Sequence, residues 1–163
     1  IRASVFNRRE EVWRVDALNE VLIGGSNRTL TLEVEINGEP IGEVVGDGII
    51  AATRTGSTAY AMSCGGPVVL LESIVLVASN AISSALLAPT VLPMDTKVSV
   101  HNRTKVTRPY VIADGQKDYQ ILDGTVIELV RSPSTVRLID PRLVSNFAKL
   151  TKKSLQRERP LEH

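Results

Sequence analysis

The chain has few of the residues that would define a function class at once. Among its 163 residues there are one cysteine, Cys64, and two histidines, His101 and His163. One cysteine excludes an internal disulfide and fits a reducing compartment, so we expect a cytoplasmic protein. A zinc site built from Cys64 and His101 alone lacks ligands. With His101 as the one histidine outside the terminal tail, no Ser-His-Asp triad can be argued.

An excess of either charge and long apolar runs are also absent. The 19 basic and 18 acidic side chains give a net charge of +1. This balance gives no reason to expect nucleic-acid binding or attraction to an acidic membrane surface. No apolar run approaches the roughly 20 residues that a membrane-spanning helix needs. The charged residues 1–11 do not form a signal peptide, and the ending LEH resembles an expression-tag remnant, so we expect a fragment of a longer protein.

Short strand patterns are what the sequence has in abundance. Residues 30–36 alternate apolar and polar side chains, and Asn37-Gly38 is the two-residue turn that joins them to a return strand beginning at Ile41. The apolar run 49–52 is typical of a buried strand. Further strands are predicted at residues 11–15, 18–23, 73–78, 97–101, 107–113, 125–130 and 135–138. The pattern favours one mainly β domain at residues 1–153, followed by a charged tail at 154–163.

Helical patterns are few. Residues 55–63 predict a helix of two turns with Thr55 or Ser57 as its N-cap, and Gly65-Gly66-Pro67 predicts its end. Residues 142–153 predict a second helix, because their apolar side chains recur at helical spacing. No internal repeat or low-complexity linker interrupts the chain.

Residues 46–60, GDGIIAATRTGSTAY, are the most informative segment. A glycine-flanked aspartate, a short apolar run and a cluster of hydroxyls predict a tight turn, a buried strand and a helix start. That helix start would direct free N–H groups and hydroxyls at one point, which suits a polar or anionic ligand. Two simpler interpretations stay open, namely an Asx turn at Asp47 and an ordinary capped helix.

Other candidate residues also allow two interpretations. The amide and carboxylate of Asn19-Glu20 can hold vicinal hydroxyls, but spacing alone favours a solvent-facing Glu20 and a local Asn19 bond. Tyr60 either stacks on a planar ligand or fills the core. Cys64 is expected to be a small buried residue. Asp114-Gly115-Gln116 indicates a turn first and a ligand contact second.

Taken in order, these motifs resemble the C-terminal portion of NAD kinases. The similarity includes Asn19-Glu20, Gly46-Asp47-Gly48, residues 53–60 and Gly65-Gly66-Pro67, and it runs from about Ala17 through residues 114–116. The TGSTAY run at 55–60 is highly specific. The resemblance implies a mainly β, two-sheet C-terminal domain with few short helices, here residues 1–153. It also implies an N-terminal α/β domain that is absent from this chain.

The activity that the resemblance implies is phosphoryl transfer to NAD. Such kinases move the γ-phosphoryl of ATP, or of polyphosphate in some members, to the 2′-hydroxyl of the adenosine ribose of NAD, with Mg²⁺ accompanying the ATP. The implied partners are NAD, NADP, a phosphoryl donor held by the missing lobe, and further copies of the chain in a homodimer or homotetramer. The family's catalytic aspartate lies in a Gly-Gly-Asp-Gly motif that this chain lacks. We therefore expect no catalytic residue or metal ligand here, weak NAD or NADP binding, and no turnover by the chain alone.

The resemblance also implies which residues bind NAD. Asn19 and Glu20 should contact the ribose and adenine, and Asp47 should contact polar groups of the dinucleotide. The remaining expected pocket residues are Thr55, Thr58, Ala59, Tyr60, Ser63 and, on weaker similarity, Gln116.

Three departures from the family pattern concern ligand details. Arg54 replaces a usual proline, Val45 stands where a basic residue is common, and residues 79–83 replace a Pro-His-Ser type segment. Two other functions remain open. One is a lipid kinase of related fold, whose acceptor site should be apolar rather than rich in hydroxyls. The other is a non-catalytic β domain that senses nucleotide or drives oligomerisation.

Overall fold

Two antiparallel β-sheets form the domain in the computed structural model, which describes residues 1–86 and 88–137. The strands are β1 (Arg2–Asn7), β2 (Glu10–Asp16), β3 (Glu20–Gly24), β4 (Leu30–Ile36), β5 (Glu39–Gly46), β6 (Gly48–Ala52), β7 (Ser73–Ser79), β8 (Ser83–Ser84), β9 (Thr90–Pro93), β10 (Val98–Asn102), β11 (Tyr110–Ala113), β12 (Lys117–Gln120) and β13 (Val126–Val130). Sheet A has the order β2-β1-β13-β10-β4-β5-β8, and sheet B has the order β12-β11-β3-β6-β7-β9. The predicted mainly β, two-sheet fold is confirmed.

The core lies between the two sheets. Alternate residues of β4, namely Leu30, Leu32 and Val34, are fully buried, whereas Thr31 and Glu33 between them lie on the outer face. This alternation follows from the two-residue period of a strand. At one edge, Trp13 of β2 stacks on Tyr119 of β12 with ring centroids 5.5 Å apart. This aromatic pair joins the edge strands of the two sheets, which are distant in sequence.

Sheet B is buried on both faces at its centre. All five residues of β6 are buried. Its inner side chains, Ile49 and Ala51, belong to the core between the sheets, and its outer side chains, Ile50 and Ala52, pack with Ala61 in a second cluster. A continuous apolar run rather than an alternating one is therefore required at residues 49–52. The short helix that contains Ala61 covers this part of the outer face.

Most of the predicted strands form. The hairpin of β4 and β5, with positive φ at Asn37 and Gly38, agrees with the predicted turn. The strand predicted at 135–138 is wrong for residues 135–137, which are exposed and belong to no strand. Residue 138, the helix predicted at 142–153 and the tail at 154–163 lie outside the described residues. Four strands were not predicted: β1, β8, β9 and β12.

The helical content of the described part is one 3₁₀ turn (Gly56–Thr58) and one α-helix, α1 (Tyr60–Ser63). Gly65 follows with a φ of +84°, and the Gly66 N–H donates to Ala61 O at 2.8 Å. The predicted glycine stop after this helix is therefore confirmed. Among residues 1–86 and 88–137, no helix has the length and apolarity that crossing a membrane requires.

Candidate functional site

Residues 53–63 do not form the capped helix that the hydroxyl pattern predicts. Thr55 has helical backbone angles (φ −65°, ψ −44°) and makes no capping hydrogen bond. The Ser57 hydroxyl instead donates to Arg54 O at 2.7 Å and accepts from the Val69 N–H at 3.2 Å. Thr55 therefore stands at the N-cap position of the 3₁₀ turn (Gly56–Thr58), but the predicted capping of a two-turn helix by a Thr55 or Ser57 hydroxyl is wrong. Ser57 is completely buried, and it fixes the loop that follows the helix instead.

The segment also lacks the cluster of free N–H donors that the sequence predicted. The Ser57 N–H donates to Thr53 O at 2.8 Å, and the Ala59 N–H donates to Gly56 O at 2.8 Å. The Gly56 N–H donates to Thr53 Oγ1 at 3.2 Å. The N–H groups of Gly56, Ser57 and Ala59 are therefore used within the segment and are not available to an anion.

Backbone contacts join this segment to Asn19-Glu20. The Thr53 N–H donates to Asn19 O at 2.8 Å, and the Thr53 hydroxyl donates to Leu18 O at 2.6 Å. Gly56 lies so close that a Cβ on it would be 2.0 Å from Asn19 O. The Asn-Glu pair and the TGSTAY segment are therefore one packed unit, although more than 30 residues separate them in sequence.

Removing the Thr53 hydroxyl should loosen this unit without changing its volume. We expect Thr53→Val to lower the free energy of unfolding by about 1–3 kcal/mol, because the hydroxyl loses two hydrogen bonds, one to Leu18 O and one from the Gly56 N–H. Urea denaturation measures the change. Thr90→Val is the matched control, since it removes a single exposed hydrogen bond to Ala88 O. Equal effects of the two substitutions would contradict the linking role of Thr53.

Glu20 carries the most unusual polar group of this unit. It opens β3 opposite Ala52 of β6, and its Oε2 atom is buried with no hydrogen-bond partner among the described residues. Burial is the larger cause that raises the pKa of the Glu20 carboxyl, and the negative charge of Asp114 adds to it. The nearby Tyr60 backbone amide acts in the opposite direction. A buried carboxylate oxygen of this kind calls for a donor from beyond the described residues, such as an ordered water or a ligand.

Asp47 lies at the other end of β3, in a cavity of about 480 Å³. The cavity is lined by Leu22, Gly25, Ser26, Asn27, Arg28, Thr29, Asp47, Tyr60 and Ser79. Asp47 is exposed, and its Oδ2 accepts from Asn80 Nδ2 at 2.8 Å. Within residues 1–86 and 88–137 no Asx-turn bond forms at Asp47, so that alternative is wrong.

Tyr60 connects the two ends of the site. Its backbone amide acts on Glu20, and the residue lines the cavity that also contains Asp47. Its side chain is 44% exposed, so it does not fill the core. Glu20 and Gly24 bound the five-residue strand β3, which makes the site about 13 Å long at the usual rise per residue. The site is thus a strip along the outer face of β3, with polar groups at both ends and the apolar Leu22 between them.

The other predicted site residues are distributed unequally around this strip. Thr55, Thr58 and Ala59 belong to the segment packed on Asn19, and the Thr58 hydroxyl donates to Thr55 O at 3.3 Å. Ser63 is exposed at the end of α1. Gln116 is not brought to the Asp47 cavity. It follows β11 and lines a separate cavity of about 600 Å³ beside Trp13.

Most residues of the site were not predicted from the sequence: Asp47 and Tyr60 are the only predicted ones among the nine that line the cavity, and Thr53 was not predicted either. Thr53 anchors the Asn19 backbone, and Arg28 and Ser79 line the Asp47 cavity. Arg28 supplies a positive charge in a loop that follows two glycines. A basic residue in such a loop is the sequence feature that could have predicted this part of the site. Among the described residues, no group of three or more His, Cys, Asp or Glu side chains could hold a metal ion.

Together, the fold and this strip define a class: a two-sheet antiparallel β domain with an elongated site, polar at both ends, on the outer face of one sheet. Residues 18–141 match the ATP-NAD kinase C-terminal domain family. The chain belongs to the NAD kinase family and corresponds to its C-terminal domain.

Similar proteins agree with this assignment. An NAD kinase of Gemmatimonas aurantiaca is 37% identical over 135 residues, which are 80% of this chain and 46% of that protein. An NAD kinase of Pseudomonas savastanoi pv. phaseolicola is 34% identical over 148 residues, which are 86% of this chain and 49% of that protein. The chain therefore spans about half the length of the curated relatives it matches.

Two solved structures share the fold. The first is an NAD kinase from Archaeoglobus fulgidus in complex with ATP, with a TM-score of 0.73 and 28% identity, covering 92% of this chain and 58% of that one. The second is yeast NADH kinase complexed with NADH, with a TM-score of 0.78 and 19% identity, covering 99% of this chain and 50% of that one. At 19% identity, the second likeness concerns the fold alone.

Proposed function

We propose that this chain is the dinucleotide-binding part of an NAD kinase, an enzyme that converts NAD to NADP. The 2′-hydroxyl oxygen of the adenosine ribose attacks the γ-phosphorus of ATP or the terminal phosphorus of polyphosphate. The bond to the bridging oxygen breaks and releases ADP or the shortened polyphosphate, and the hydroxyl proton passes to the catalytic carboxylate. This chain holds the acceptor dinucleotide, and a second lobe holds the donor and supplies the catalytic carboxylate. Family membership and the strip on β3 support this proposal.

The observation that carries the proposal is the buried Glu20 Oε2 atom without a donor. Ribose hydroxyls are donors of the kind that a carboxylate accepts, and the adjacent Asn19 amide both donates and accepts. A strip about 13 Å long with polar groups at both ends suits an elongated ligand with two polar ends, as a dinucleotide is. Arg28 adds a positive charge for a phosphate at the Asp47 end.

This chain positions the acceptor rather than activating it. Phosphoryl transfer depends chiefly on alignment and on neutralising the charge of the donor phosphates. Mg²⁺ supplies that neutralisation when it is bound with ATP. The residues described here do not fit a resident Mg²⁺ site. Asp114 is the carboxylate whose charge acts on Glu20, and both of its oxygens already accept backbone hydrogen bonds. We accordingly assign no metal ligand to this chain and expect no turnover by it alone.

The polar lining also bears on the alternatives. A lipid acceptor would need an apolar site, whereas the Asp47 cavity is lined by a carboxylate, several hydroxyls and an arginine as well as by Leu22. On the strength of the resemblance we further propose a homodimer or homotetramer. The single cysteine supports a cytoplasmic location.

Calorimetric titration with NAD and NADP tests the proposal. We expect saturable binding to the parent chain and at least about tenfold weaker binding to Asn19→Ala, since ligand hydrogen bonds are lost. Asn7→Ala, at the exposed end of β1 in the other sheet, is the control and should bind as the parent does. A folded parent chain that binds neither dinucleotide would overturn the proposal. NADP formation from ATP, Mg²⁺ and NAD by this chain alone would overturn the division of roles between the lobes.

A further inference from the structure

Asp114 occupies the turn between β11 and β12 with a φ of +50°. Its Oδ2 accepts from the Leu18 N–H at 2.8 Å, and its Oδ1 accepts from the Asn19 N–H at 2.7 Å and the Glu20 N–H at 3.1 Å. The Asp114 N–H in turn donates to Glu20 O at 3.0 Å. One carboxylate thus accepts from three consecutive backbone amides that lie about 95 residues earlier in the chain.

These contacts decide between the two roles that the sequence allowed for Asp114. Both oxygens are engaged by backbone donors, so the carboxylate has little capacity left for a ligand hydroxyl. Leu18 and Asn19 precede β3 and take no part in its ladder with β6 or β11. Their amide hydrogen bonds therefore depend on Asp114. Hydrogen bonds to a charged acceptor are among the stronger ones in proteins, which suits this role.

We propose that Asp114 is a positioning residue, which holds the Asn19-Glu20 segment in the conformation that the dinucleotide site requires. This inference rests on the proposed function, because it assigns a role in binding the same ligand. Asp114 acts through the backbone of the pair and through the negative charge that it places near Glu20, and it does not touch the ligand. It completes the attachment of a segment that Thr53 and Gly56 hold from the opposite side.

The charge of Asp114 also acts on Glu20. Three groups face the Glu20 carboxylate: Asp114 from the β11–β12 turn, the Tyr60 backbone amide from α1, and the uncharged Ala52 from β6. Burial and the Asp114 charge together raise the pKa of Glu20. Removing that charge should lower the pKa. A role confined to backbone geometry would leave the Glu20 titration in place.

The test compares Asp114→Asn with the parent chain by amide hydrogen exchange, by NMR titration of the Glu20 carboxyl and by calorimetry with NAD. Asparagine tolerates positive φ and keeps one acceptor oxygen, so the turn itself is preserved. Asp123→Asn is the matched control, since Asp123-Gly124 is a second exposed Asp-Gly turn whose carboxylate forms no hydrogen bond among the described residues.

For Asp114→Asn we expect exchange at residues 18–20 to become at least about tenfold faster and NAD affinity to fall about tenfold or more. The Glu20 midpoint should move to lower pH, and Asp123→Asn should change none of the three. Unchanged exchange at residues 18–20 would overturn the proposal whatever happens to affinity. So would faster exchange with unchanged affinity, or an unmoved Glu20 midpoint.

Two further measurements keep the proposal separable from folding and from the proposed function. If Asp114→Asn does not fold, exchange in the parent decides, because the Leu18 and Asn19 amides should exchange slowly despite lying outside β3. Rapid exchange at both would overturn the proposal. If the parent chain does not bind NAD, the proposed function fails. Amide hydrogen exchange at residues 18–20 and the NMR titration of Glu20 then decide whether Asp114 holds the segment.

Discussion

Gly56→Ala is expected to abolish NAD binding and to destabilise the fold. A Cβ at this position would lie 2.0 Å from Asn19 O, 2.3 Å from its carbonyl carbon and 2.8 Å from its Cα. All three atoms are backbone, so no side-chain rotation can relieve the clash. The Asn19-Glu20 segment must move, which separates it from Thr53. We expect a loss at the upper end of the about 1–3 kcal/mol typical of overpacking.

Gly65→Ala is the comparison for that substitution. Gly65 has a φ of +84° and no atom within 4 Å of the position of a Cβ. Alanine there costs about 1–2 kcal/mol of backbone strain and leaves the site untouched. Chemical denaturation gives the stabilities, and calorimetry gives the NAD affinities. If Gly56→Ala bound NAD as tightly as Gly65→Ala does, the packed unit of Asn19 and Gly56 would not be the binding element.

The fold was predictable where local pattern determines the outcome. Residues 30–36 alternate strictly, and Asn37-Gly38 has a strong preference for the tight turn, so one hairpin follows from a few neighbouring residues. The strands β1, in the interior of sheet A, and β12, at the edge of sheet B, were missed because their sequences, RASVFN and KDYQ, contain few large apolar residues. They form because β1 pairs with β13 and β12 pairs with β11, and pairing between distant segments leaves no local signal.

The sequence predicted several residues of the site, but it did not predict the tertiary contacts that hold them together. The hydroxyls of residues 53–60 indicated a helix cap because Ser and Thr are typical of that position. The structure uses Thr53 and Ser57 for tertiary contacts instead, with Leu18 and with Val69. No local pattern announces such contacts. The same is true of Asp114, whose Asp-Gly dipeptide indicates a turn and gives no sign of three amides near residue 19.

Glu20 is the most diagnostic residue for function. Ionisation of its carboxyl should lower the free energy of unfolding and raise the affinity for NAD. Its carboxyl has a pKa raised above the ordinary 4.5. In the window between 4.5 and that higher value, the folded chain holds a proton that the unfolded chain has released. The free energy of unfolding therefore falls as pH rises through the window and is constant above it, as far as Glu20 contributes.

Glu20→Gln removes that dependence. The free energy of unfolding of the variant, relative to that of the parent, should increase with pH across the window and then level off. Binding should change in the other direction. The ionised carboxylate accepts ligand hydroxyls, so NAD affinity of the parent rises with pH across the same window, whereas the variant lacks this rise. At neutral pH we expect the variant to bind NAD at least about tenfold more weakly, as for a lost hydrogen bond to a charged group.

Denaturation and calorimetry between pH 4 and pH 8 measure both curves. Glu39→Gln is the control, because Glu39 is exposed at the start of β5 and forms no ion pair among the described residues. It should change neither curve. A Glu20→Gln variant that is less stable than the parent at neutral pH would mean that the carboxylate serves the fold. A Glu20→Gln variant that is more stable than the parent and does not bind NAD would show that the Glu20 carboxylate serves ligand binding. It would also show that this carboxylate lowers the stability of the fold.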